Sequence, residues 1–203
     1  MRDPILQNRR PLPAQPLLSL PSDSRLAAIT VDIQIGLPDI AGSPIRVSVL
    51  PQLSAYRGRL LSQSPHRGVA VHAASFIRDR RIVLEAQLLR SPRLARLILI
   101  HEIFHFVWAR LGNVKRAEYA LILRREFANG ARGELGESAQ VKKSVCASIG
   151  APAWRDYVCE SFCDAAAFLY AGVDRHDSFT LAERWIRRRR FWFEQTFQTR
   201  RTC

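Results

Sequence analysis

Two histidines and a glutamate stand at a spacing that can hold and use a metal ion. Residues 97–108 read LILIHEIFHFVW. On a helix, His101 and His105 are four residues apart and leave the same face one turn from each other. Two imidazoles so placed suit two nitrogen positions on one Zn²⁺, and Glu102 beside them suits a general base for hydrolysis. The residues between and around them (Ile100, Ile103, Phe104, Phe106) are apolar, as a buried helix beneath a site requires.

A zinc hydrolase needs a third protein ligand and an open position. The stretch after His105 reaches Gly112 without a further histidine, so the extended His-x-x-Gly-x-x-His form is absent. The remaining common choice is a glutamate on a later helix. Residues 157–168, YVCESFCDAAAF, offer Glu160, with Asp164 one turn on the same face. Asp164 could accept the second ring N–H of a ligating histidine. Asp156, one turn before Glu160, is the substitute ligand, and Glu118, Glu126, Glu134 and Glu137 are weaker substitutes. A donor for the developing oxyanion is sought in His176 or Tyr157, with Tyr170 and nearby arginines behind them. His66 and His72 read as ordinary loop or strand residues.

The elements that must position these groups follow from periodicity and breakers. Residues 28–35 and 45–49 alternate as strands, and Pro51 opens a short helix to about residue 62. Residues 69–77 and 81–84 form a hairpin about a polar turn. Ser91-Pro92 starts a helix to about residue 110, with Gly112 as its stop. Helices are expected over 115–127, 153–170 and 180–198, a glycine-rich loop over 129–136, and no definite element over 137–149. The predicted fold is α+β, a small mixed or antiparallel sheet packed on an active-site helix and a second, glutamate-bearing helix. Either 69–77 or 81–84 would be the sheet edge that takes an extended peptide by strand addition. Residues 1–24, with five prolines, read as an extended arm, and residues 25–203 as one domain with its core at about 69–171.

At 47% hydrophobic, the 203 residues can bury a real core, which excludes a wholly disordered chain. No apolar run reaches membrane-spanning length, and prolines interrupt what would be a signal sequence. A cytoplasmic protein is expected, with Cys146, Cys159, Cys163 and Cys203 as reduced thiols. The net charge of +13 implies affinity for anionic partners. The run Arg187–Arg190 lies among Trp185, Phe191, Trp192, Phe193 and Phe197. It is either the solvated face of the last helix or a grip on an anionic partner.

The pair Glu160 and Asp164, following a hairpin and a His-Glu-x-x-His helix, resembles the gluzincin metallopeptidases. The order of elements is similar to minimal gluzincin domains, including the ImmA/IrrE type, where an alanine- and aromatic-rich glutamate helix follows. The resemblance covers about residues 69–171. It implies zinc held by His101, His105 and Glu160, Asp164 orienting the first histidine, and a protein or peptide substrate. The segment between His105 and Glu160 is longer than in those minimal domains, and the N-terminal strands and basic C-terminal helix have no counterpart there. Two other classes stay open on the sequence: a metal-binding regulatory protein without catalysis, and a basic nucleic-acid-binding protein.

Overall fold

The structure is a computed structural model, and it describes residues 17–21, 24–38, 40, 42–64, 67–146 and 152–197. It is α+β, as expected. A four-stranded mixed sheet has the order β1 (Leu18–Ser19), β2 (Ile45–Leu50), β7 (Arg81–Glu85), β6 (Ala73–Phe76). The first three strands run parallel, and β6 pairs antiparallel to β7, with Ala74 opposite Val83. A second sheet has β3 (Ser54–Tyr56) between β4 (Arg59–Leu61) and β5 (Val69–Ala70).

Helix α2 (Pro92–Arg110) is the spine. It packs against β6 and β7 on one side and α5 (Pro152–Tyr170) on the other. Pro92 occupies its first turn as expected, although Ser91 makes no side-chain cap. Helices α3 (Asn113–Ala128), α4 (Glu137–Val145) and α6 (Glu183–Thr196) close the remaining faces of α5. Between α2, α5 and α6 the core is aromatic: Phe162 stacks on Phe193 at 5.1 Å, and Phe104 on Tyr170 at 5.4 Å.

Three expectations are corrected. Residues 28–35 are not a strand but lie in α1 (Ser24–Gly36). Their alternation coexists with a helical stripe: Leu26, Ile29, Thr30, Ile33 and Leu37 are buried, at spacings of three and four, and α1 packs against α2. The expected helix after Pro51 is a hairpin. Arg57 and Gly58 both have positive φ, which makes a two-residue turn that matches strand twist. The expected strand 69–77 divides between two sheets, β5 and β6, with a break at Val71-His72. The unassigned stretch 137–149 contains α4. Part of the proline-rich arm belongs to the folded sheet, as strand β1. Leu18 is buried and pairs with Ile45, while residues 1–16 lie outside the described residues.

Candidate metal centre

Helix α2 carries His101 and His105 on the face turned toward α5, and α5 returns Glu160 and Asp164 to the same place. The Nε2 atoms of His101 and His105 are 3.2 Å apart. Glu160 Oε2 lies 3.2 Å from the first and 4.0 Å from the second. Ligand atoms around a tetrahedral Zn²⁺ at about 2.0–2.1 Å stand roughly 3.3 Å from one another. Two of the three separations match that figure and the third is longer, so the donor set fits the ion.

The surroundings hold the first imidazole in the required tautomer. His101 Nδ1–H donates to Asp164 Oδ1 at 2.7 Å, which leaves the Nε2 lone pair for a metal. The other carboxylate oxygen of Asp164 accepts the Ala139 N–H at 2.8 Å, in the first turn of α4. His105 is oriented differently. Its Nδ1 lies 3.7 Å from Cys159 Sγ and 3.4 Å from Cys163 Sγ, so thiols take the place a carboxylate fills at His101.

The electrostatics of these groups favour a positive charge between them. Burial alone would lower the His101 pKa, but hydrogen bonds to Asp164 and Glu160 and their charges raise it well above the ordinary value. Burial also opposes the His105 cation, and the Cys159 contact with the nearby carboxylates lifts it nonetheless. Glu160 is held below its usual range: burial would raise it, and the two imidazoles overcome that effect. The Cys159 thiol is brought down to about 6 by the Cys163 hydrogen bond, against burial and with help from His105. Burial keeps Cys163 well above an ordinary thiol.

His101, His105 and Cys163 also lie close enough to one another to hold an ion. Cys163 lies 3.4 Å from Nδ1 of His105, the ring nitrogen turned away from the paired Nε2 atoms that Glu160 approaches. Glu160 is therefore the better third donor.

Glu102 borders this centre and is fixed from the sheet. Ser75 Oγ, on β6, donates to its Oε2 at 2.6 Å. Two adjoining hollows of about 500 and 440 Å³ share His101, Glu102 and Ser138. The larger has apolar walls from Leu94, Ile98, Leu135 and Phe179 and includes His176. His176 Nδ1 lies 2.6 Å from Ser178 Oγ and 3.3 Å from the Ser178 backbone nitrogen, contacts that orient the ring. Strand β6 forms one wall. It is an edge of the main sheet, and no strand among the described residues pairs with its outer side. The alternative edge at 81–84 is corrected, because β7 lies inside the sheet between β2 and β6.

The other candidates fall elsewhere. Tyr157 is fully buried and donates its hydroxyl to Glu134, so it does not reach the centre. Tyr170 is stacked on Phe104. Asp156 is exposed and lies 3.6 Å from Lys142, and Glu118 pairs with Lys115. Glu126 and Glu134 are buried against Arg189. Glu137 is exposed at the rim of the larger hollow, His72 is an exposed residue of the same rim, and His66 lies outside the described residues. Ser75 against Glu102 and Gly136 against Asp164 had no signal in the sequence, because each acts across the fold. No family model, curated protein or solved structure matches the chain.

Proposed function

We propose that the protein is a zinc-dependent metallopeptidase of gluzincin type. The observation that carries the reading is the convergence of His101 Nε2, His105 Nε2 and Glu160 Oε2 within 3.2–4.0 Å, with Glu102 on the adjoining wall. Bound zinc supplies Lewis-acid chemistry, polarising a carbonyl and bringing water's pKa to about 7.

The chain's own groups then have distinct tasks. An extended peptide pairs with the open edge of β6, which runs its backbone past Glu102. The Glu102 carboxylate takes a proton from the attacking water and passes it to the leaving amine. Ser75 holds that carboxylate in place. Asp164 keeps the proton of His101 on Nδ1. His176 is the donor for the oxyanion, with Ser178 orienting its ring. The apolar wall beside it accepts a non-polar side chain next to the scissile bond.

The test joins metal content to cleavage. Purified wild type is expected to hold one zinc per chain and to cut members of a mixed peptide library. Glu102→Gln is expected to keep the zinc and lose at least about 100-fold in turnover, the scale of a lost general base. Glu160→Ala is expected to lose the metal, and Cys163→Ala to keep it. A metal-free wild type, or a Glu102→Gln variant as active as wild type, would overturn the reading.

A further inference from the structure

A second surface, sharing no residue with the metal centre, is built from α3 and α6. Arg125 faces Arg184, Arg187, Arg188, Phe191 and Trp192 across an open groove of about 770 Å³. On α6 the exposed groove residues recur at spacings of three and four, so they form one face of the helix. The opposite face is buried through Trp185, Ile186, Arg189 and Phe193. Arg189 turns inward and takes Glu126 and Glu134. Its neighbours Arg187 and Arg188 are exposed and line the groove. Among the described residues, no carboxylate lies at ion-pair distance from any of the four groove arginines.

The groove is more than a solvated charge run. Phe191 is 63% exposed within it, and Trp192 lines it with its indole N–H held by Glu118 at 3.3 Å. Arg184 and Arg188 are ordered over the Trp185 ring at 4.7 and 4.8 Å. Charge decides the occupant. The sequence before residue 17 contributes three arginines against one aspartate, and the sequence after residue 197 adds two more arginines and no acid. Neither segment complements the groove, and a second copy of a +13 chain does not either. Guanidinium forks match phosphates in geometry, and an exposed ring between them offers a stacking platform. Arginines along a concave path with aromatic rings among them are the elements of single-strand recognition.

We propose that this groove binds single-stranded nucleic acid, its arginines on successive phosphates and Phe191 under a base. The site is independent of the metal-centre reading.

Fluorescence anisotropy of a labelled 12-nucleotide oligo(dT) with the full chain tests it. Three to four neutralised phosphates give a slope of log affinity against log salt of about −2 to −3. Arg187→Ala with Arg188→Ala is expected to weaken binding and make that slope shallower by about 1.4. Phe191→Ala is expected to weaken binding at least about fivefold with the slope unchanged. Arg57→Ala with Arg59→Ala, in the β3–β4 turn, removes the same charge from another exposed place and is expected to leave affinity within about twofold. All these positions are exposed, and matching melting temperatures confirm folded variants. The proposal is overturned if the turn variant weakens binding as much as the groove variant, if Phe191→Ala has no effect, or if a duplex of the same length or a poly-glutamate peptide binds as tightly as the single strand.

Discussion

Asp164 shows how much of the centre depends on contacts that no single helix supplies. One carboxylate oxygen orients His101 and the other holds the first turn of α4. Gly136 lies against it so closely that a Cβ there would stand 2.2–2.4 Å from the carboxyl atoms. The φ of Gly136 is −176°, ordinary extended backbone, so space alone reserves the position for glycine. Asp164→Asn is expected to reduce zinc affinity about 10–100-fold, as loss of a partner behind a ligating histidine does. Gly136→Ala is expected to reduce it by a comparable factor through displaced Asp164, although Gly136 has no side chain to contribute. Competition titration with a chromogenic chelator reads both, and unchanged affinity in Gly136→Ala would separate the glycine from the site. His101 with His105 and Glu160 with Asp164 were legible because a spacing of four places each pair on one helix face, and Glu102 because it lies inside the His-Glu-x-x-His motif. Gly136 and Ser75 were not, since each meets its partner from another element. Tyr157 was misplaced because it leaves α5 on the side that meets Glu134 rather than the side of Glu160.

At the level of elements, the helices with strong punctuation were readable, and in the N-terminal third only the strand over 45–49 was, as β2. Pro92 opens α2, Pro152 opens α5, and Gly172 follows α5 with φ of +61°. The turn at 57–58 is Arg-Gly, which lacks the asparagine or aspartate that usually announces such a hairpin. In α1, alternating apolar and polar residues suggested a strand, and packing against α2 decided for a helix. Thr30 shows the helical backbone directly, its hydroxyl donating back to the carbonyls of Leu26 and Ala27 at 3.1 and 2.9 Å. The two readings differ in which side chains matter. Leu26 is fully buried in the helix and lies outside the expected strand, whereas Ala28 begins that strand and is exposed. Leu26→Ala is expected to cost about 2–5 kcal/mol, and Ala28→Glu less than about 0.5 kcal/mol. Urea unfolding midpoints check the pair, and a reversed ranking would contradict the helix.

For the molecule as a whole, a buried ion network ties the last helix to the site-bearing one. Arg189 on α6 is bidentate to Glu126 on α3, at 3.0 and 2.6 Å, and reaches Glu134 at 2.7 Å. It also donates at 3.0 Å to the hydroxyl of Ser161, the residue after Glu160. Lys143 on α4 joins Glu134 at 2.9 Å. Removing Arg189 would leave buried Glu126 without its cation and Glu134 with Lys143 alone, at a cost of about 3–5 kcal/mol. The network also makes stability depend on pH in a definite direction. Burial would raise the Glu134 pKa, yet the Arg189 charge and hydrogen bonds hold it below the ordinary 4.5. The unfolded chain therefore takes up a proton at higher pH than the folded one. The stabilisation is complete above 4.5 and is lost as pH falls through the depressed folded value. Glu134→Gln removes that titration and keeps the Arg189–Glu126 pair. The variant is expected to be less stable near neutrality, with a flatter decline in urea midpoint from about pH 6 to about pH 3. Parallel profiles for wild type and variant would mean that acid sensitivity arises at other carboxylates. A flatter one would identify Glu134 as a group whose protonation drives part of the acid unfolding.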